Sequence, residues 1–215
     1  MVRAGARISL SDFSVQVHRN TIAAPVTFAG RGLHTGRTAS VKICPVESDI
    51  GIVFRHIDPK GRSTDIVADW RNVRELPLCT CLTDGKRIQV RTVEHLLAAF
   101  YGCEIDSAII EVYGNEIPIL DGSAKPIVDL IQAVGLKSLN TRRKMTRIIK
   151  PVRVEQEHRW LNIEPSDKLE LDIRIALYHF GELRWEGELE PEIFRQRIAP
   201  ARTFGRCKMG YLQNV

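Results

Sequence analysis

The chain reads as an α+β protein. Three observations carry that reading. Thr92 to Gly102 has helical apolar spacing, with Val93, Leu96, Leu97 and Phe100 on one face. Leu169, Leu171, Ile173, Ile175 and Leu177 alternate with Glu170, Asp172 and Arg174, as in a strand with one apolar face. Between them, Asn140 to Lys144 is a polar, basic break where one unit can end and another begin. The 215 residues are enough for one large domain or two smaller ones.

Residues 1–20 read as a flexible extension or an organelle-targeting segment; Arg3, Arg7 and Arg19 are opposed only by Asp12, and no apolar run has signal-peptide length. A first domain is expected over 21–139. Its glycine-rich stretch Gly30-Arg31-Gly32-Leu33-His34-Thr35-Gly36 is too irregular for a dinucleotide fingerprint and reads as a tight loop between strands. His34 is either a turn residue or a group lining a site. Ala39, Val41 and Ile43 alternate, as do Ile50, Ile52 and Phe54, which predicts two strands. Leu76 to Leu82 and Arg87 to Val90 flank Thr83-Asp84-Gly85-Lys86, whose Asp-Gly step favours a hairpin. The helix at Val93 follows, then a strand over Ile105 to Val112. Asp121 to Ala124 turns the chain into a second helix, with Ile127, Leu130, Ile131 and Val134 as its stripe and Gly135 as its stop. Two one-sided helices are expected to cover one face of a sheet.

Residues 140–215 are expected to form a second α+β unit. Strands are predicted over Ile148 to Val154, Trp160 to Ile163, Leu169 to Leu177 and Glu186 to Leu189. Pro191 suits the start of a helix carrying Phe194 and Ile198 on one side. That is at most one short helix for a sheet's worth of strands, so this second unit is expected to be incomplete unless the first half or a partner covers its apolar face.

Bulk properties exclude several classes. No apolar run is long enough to span a membrane, so no stable membrane insertion is expected. The net charge of +5 is scattered. Its densest cluster, Arg142-Arg143-Lys144, is a solvated linker face or a nucleic-acid surface, and it lacks the aromatic interleaving of the latter, so no nucleic-acid partner is expected. Five cysteines are an odd number in no disulfide framework, which points to a reducing, cytoplasmic setting.

Glu94 and His95 lie in the first turn of the first helix. They are either a helix-end charge with a satisfied histidine, or a base beside a metal ligand. The surrounding motifs favour the second. Gly32-Leu33-His34-Thr35-Gly36, Leu78-Cys79-Thr80-Cys81-Leu82, Thr92-Val93-Glu94-His95-Leu96, Glu116-Ile117-Pro118-Ile119-Leu120-Asp121-Gly122-Ser123-Ala124 and Ala201-Arg202-Thr203-Phe204-Gly205 occur in the order and at the separations of one family. From about Thr21 onward the chain resembles the zinc-dependent UDP-3-O-acyl-N-acetylglucosamine deacetylases of lipid A biosynthesis.

The resemblance implies two similar sheet-plus-helix-pair domains with helix layers facing each other. It implies an amidohydrolase in which Glu94 is the general base, His95 ligates Zn2+, and Thr203 stabilises the oxyanion. Phe204 would line the sugar site, and Leu78 and Cys79 would lie close to the metal. The substrate would be a UDP-linked, acylated amino sugar, and the full-length protein a cytoplasmic monomer. The family's two further zinc ligands come from a later His-Lys-x-x-Asp segment. This sequence has none: neither His158 nor His179 is followed by Asp at that spacing. The chain as it stands is therefore expected to be inactive. It is read as the N-terminal part of a deacetylase or, alternatively, as a non-catalytic homologue that binds a partner or a sugar nucleotide.

Overall fold

The structure is a computed structural model that describes residues 18–177 and 181–203. It is mixed α+β. Strands β1 (His18–Ile22), β2 (Val26–Arg31), β3 (Thr38–Cys44), β4 (Ile52–Ile57) and β5 (Ser63–Val67) come first, followed by a 3-10 turn (Trp70–Asn72). Next are β6 (Val73–Leu76), β7 (Cys79–Thr83) and β8 (Gln89–Arg91), then α1 (Glu94–Gly102), β9 (Ala108–Tyr113), α2 (Lys125–Val134) and β10 (Leu136–Arg142). Two hairpins follow, β11 (Val152–Gln156) with β12 (Arg159–Ile163) and β13 (Glu170–Leu177) with β14 (Gly181–Glu188). A short α3 (Pro191–Ile193) runs into a π-helical turn (Phe194–Ile198).

A five-stranded sheet, ordered β2-β3-β9-β4-β5, is the backbone of the first body. Its pairs are antiparallel except β4–β9, which run parallel. Alternation decides which face is covered. Val41, Ile43, Phe54, Ile66, Ala108, Ile110 and Val112 point to one side and are all essentially buried. Leu96, Ala99 and Phe100 of α1, with Ile127, Val128 and Ile131 of α2, join them in one core. The expected arrangement of two helices on one sheet face is therefore present. α2 stops as its sequence predicts: Gly135 takes φ 75, and its N–H reaches back to the Ile131 carbonyl. β1 and β10 pair beside this body, so β10 carries the chain through Asn140 and Thr141 as strand.

Leu76 to Leu82 differs from the sequence reading in one respect. It is not one strand but the end of β6, a turn at Pro77 and Leu78, and the start of β7. The three-stranded β6-β7-β8 sheet results. The proline cannot donate a ladder hydrogen bond, and Leu78 adopts φ 64, so pairing folds back there. The second turn forms as expected: Gly85 takes φ 75, and Asp84 accepts from the N–H groups of Lys86 and Ile88.

The hairpins beyond β10 behave differently. β11 and β12 are exposed at every position, and Arg153 stacks on the exposed Trp160 ring. On β13–β14, Ile173 and Ile175 face Trp185 and Leu183, yet Ile173, Ile175 and Leu183 each keep more than two-fifths of their surface open. α1 and α2 spend their apolar faces on the five-stranded sheet, so among the described residues nothing closes over this pair. The chain then returns to the first body. Phe194 and Ala199 are buried in the main core, with the Phe194 ring against Gly102 at the end of α1. No helix among the described residues is long and apolar enough to cross a membrane.

Candidate functional site

The first turn of α1 is interlocked with β7. Val93 N–H donates to the Thr80 carbonyl at 3.3 Å, and Thr80 N–H donates to a Glu94 carboxylate oxygen at 3.0 Å. Entry into the helix requires Thr92 to sit at φ 59, a left-handed conformation that a β-branched residue adopts rarely and at some cost. The turn before β7 repeats the pattern with Leu78, also left-handed and 92% exposed. Backbone conformations of this kind cluster at active sites and ligand clamps. Cys79 is half-buried. Burial pushes its thiol up; the Thr92 N–H pulls it down and the nearby Glu94 carboxylate adds to the rise. Leu78, Cys79, Glu94 and His95 are thus gathered where β7 meets α1, with Glu94 and His95 both half-buried.

A second segment ties this end of the body together. Residues 115–122 bond to the loop after β2, to the end of β8 and the entry to α1, and to Thr203. Arg91 N–H donates to the Asn115 carbonyl, and Ile117 N–H to the Arg91 carbonyl. Asn115 Oδ1 meets His56 Nε2 at 2.9 Å. Ile119 N–H donates to the Arg31 carbonyl. The Glu116 side chain is 1% exposed. One of its oxygens accepts from His34 N–H at 2.8 Å and the Thr92 hydroxyl at 3.1 Å; the other accepts from Thr35 N–H at 2.8 Å. Any Cβ on Gly32 would overlap this carboxylate, which explains the glycine. The sequence sets Glu116 inside a motif without marking a task for it. Its signal was an acid set directly against the apolar run Ile117-Pro118-Ile119-Leu120, where a charge needs partners.

Thr203 is tied to the turn that opens α2, not to the β7–α1 junction. Its N–H donates to the Gly122 carbonyl at 2.8 Å, and Arg202 faces Asp121 at 3.7 Å. Asp121 also accepts from the N–H and hydroxyl of Ser123 ahead of α2. The loop of Ala201 to Thr203 is thereby held to the turn that opens α2, while Ala124 N–H meets the Ala199 carbonyl. Phe204 and His179 lie outside the described residues.

Two carboxyls here set a pH dependence. Burial works to raise both, but the bonds from His34, Thr35 and Thr92 hold Glu116 below the usual glutamate range, and Ser123 with Arg202 holds Asp121 below the usual aspartate range. Their contribution to stability is therefore complete above the ordinary carboxyl range and is lost as pH falls through the lowered folded values. Urea midpoints from about pH 6 to about pH 3 should show the difference between the native chain and Glu116→Gln shrinking with acidity, because the protonated acid resembles the amide. A constant difference would assign the effect to shape alone.

No group of three or more His, Cys, Asp and Glu side chains among the described residues is arranged to hold a metal ion. A catalytic zinc site uses three protein ligands and leaves one position open. His95 by itself does not meet that requirement, so the described residues do not form a zinc centre.

A family model described as UDP-3-O-acyl N-acetylglycosamine deacetylase (LpxC) matches residues 19–214. The chain is 37% identical over 203 residues to the UDP-3-O-acyl-N-acetylglucosamine deacetylase of Aliivibrio fischeri, and equally so to that of Vibrio cholerae serotype O1. In each case the match covers 92% of this chain and 66% of the relative. The chain thus spans a little under two thirds of the length of these curated relatives.

Proposed function

The chain belongs to the UDP-3-O-acyl N-acetylglycosamine deacetylase family, and on that premise we propose that it carries one side of a site for hydrolysing the N-acetyl group of UDP-3-O-acyl-N-acetylglucosamine in lipid A biosynthesis. The observation that carries this reading is the fixed carboxylate of Glu94, oriented by the Thr80 N–H beside His95 and Cys79. Amide hydrolysis needs a base at the attacking water and a donor at the developing oxyanion.

Glu94 is the base. Its bond to Thr80 occupies one oxygen and leaves the other to take the water proton. The Thr203 hydroxyl is the oxyanion donor, its backbone tethered to Gly122. Donors of this kind contribute about 3 kcal/mol at the transition state. Leu78 and Cys79 border the reacting end of the substrate, and Phe204 its sugar. Zinc is the cofactor this reading calls for, with His95 as the ligand this chain offers; the remaining ligands are not among its described residues. We infer that the 215-residue chain alone neither retains zinc tightly nor turns over. The free Cys44, Cys79, Cys81 and Cys103 suit a reducing compartment, in line with a cytoplasmic site of action.

Two proteins test the reading side by side: this chain, and a chimaera joining it to the part of the Aliivibrio fischeri relative that it does not match. The chain alone should carry far less than one zinc after dialysis and release no acetate from UDP-3-O-acyl-N-acetylglucosamine. The chimaera should carry about one zinc per molecule and release acetate. A folded, zinc-loaded chimaera without deacetylation would favour the alternative, a homologue that binds a sugar nucleotide or a partner without turnover.

A further inference from the structure

Glu116 accepts three hydrogen bonds, and its partners come from two separate segments. His34 and Thr35 are on the loop between β2 and β3, while Thr92 is the residue that launches α1. The loop lies more than 80 positions from Glu116 in sequence, so no local turn preference could hold it there. We propose that Glu116 is a positioning residue that locks the Gly32–Gly36 loop and the first turn of α1 into one unit, giving His34 and the Glu94–His95 pair a fixed relative placement. This rests on the deacetylase reading only in treating Glu94 and His95 as the working groups.

The chemistry makes the role specific to a carboxylate. Both backbone N–H groups can only donate, and each oxygen of Glu116 faces one of them. A glutamine amide, in either orientation, sets its NH2 against the His34 N–H or the Thr35 N–H. One arm of the clamp must open. The Thr92 hydroxyl is the other lever, because it touches the carboxylate but neither loop amide. If the clamp is one unit, removing that hydroxyl loosens a loop it does not contact. A carboxylate that merely fills a buried space predicts no such transmission.

The test uses the 215-residue chain and needs no turnover, so its outcome is independent of the chimaera assay. Amide hydrogen exchange and NMR spectra are recorded for the native chain, Glu116→Gln, Thr92→Ala and Thr92→Ser. Both Thr92 variants relieve the β-branched strain at φ 59, so their comparison isolates the hydroxyl. Glu116→Gln should speed exchange at His34 and Thr35 by about 10- to 100-fold. It should also move the Glu94 amide and His95 ring signals, while Ile127 and Ile131 of α2 stay unchanged. Thr92→Ala should speed exchange at His34 and Thr35 by about 3- to 10-fold, and Thr92→Ser should restore it to within about twofold of native. Native exchange at His34 and Thr35 in Thr92→Ala would overturn the proposal, as would unmoved Glu94 and His95 signals in Glu116→Gln. Should Glu116→Gln fail to fold, the Thr92 pair decides alone.

Discussion

Gly102→Ala is expected to destabilise the chain by about 2 kcal/mol, although alanine is the better helix former by about 1 kcal/mol. Gly102 is the last residue of α1, and its Cα is covered by the Phe194 ring. A Cβ there would occupy the space of three ring carbons. Phe194 is only 4% exposed, so the ring cannot yield without leaving the core. Either the core strains, at a cost of about 1–3 kcal/mol, or Phe194 is expelled and the chain forfeits about 2–3 kcal/mol of burial. Both outweigh the helix preference. In a Phe194→Ala background the same substitution should become neutral or stabilising, which urea unfolding of the two singles and the double would reveal. An additive pair of changes would mean that Phe194 does not rest on Gly102. The consequence reaches the site, because the Phe194–Ile198 turn leads to the Ala199 and Thr203 tethers on the opening of α2.

Much of this architecture is legible in the chain because it is written locally. Val93, Leu96 and Phe100 announce α1, Gly135 ends α2, and the alternations at Val41 and Ile43 and at Ile173 and Ile175 specify strands. The Asp84-Gly85 turn is equally local. What escapes is set by partners distant in sequence. The parallel pairing of β4 with β9 joins residues 56 positions apart, and period-two patterning is silent about direction. The turn at Leu78 required reading Pro77 as a break within an otherwise strand-like run. Pro191, Phe194 and Ile198 suggested one short regular helix, whereas Ala199 N–H bonds to the Phe194 carbonyl and widens the last turn. Fitting Phe194 onto Gly102 while presenting the Ala199 carbonyl to Ala124 is a long-range demand.

The site divides along the same line. Glu94, His95, Leu78 and Cys79 were recognisable as motif residues, and the meeting of β7 with α1 brings them together. Glu116 and Asp121 carry no role legible in the sequence, because an acid beside an apolar run declares only that it needs partners. Which partners it finds depends on the loop at His34, the turn at Thr92 and the return of Arg202. The apolar face of β13–β14 is the converse case. Its pattern correctly predicts a strand with one side to bury, yet the described residues leave that side open.

On the proposed reading of Glu94 as base, Glu94→Gln carries the largest expected effect on chemistry. The amide keeps the size and shape of the carboxylate, but with a neutral group it cannot take a proton from water. Its carbonyl oxygen can still accept from Thr80 N–H, so the fold should be preserved. Loss of a positioned general base lowers turnover by about 10²- to 10⁴-fold. Because the base acts in the transition state, KM should move little while kcat falls. The decisive measurement is therefore the rate of acetate release by the chimaera with Glu94 and with Glu94→Gln, at matched zinc content. A drop of at least about a hundredfold with zinc unchanged is the predicted result. Turnover within about threefold of the parent would contradict the assignment of Glu94 as base and, with it, the reading of the β7–α1 junction as the catalytic end of the molecule.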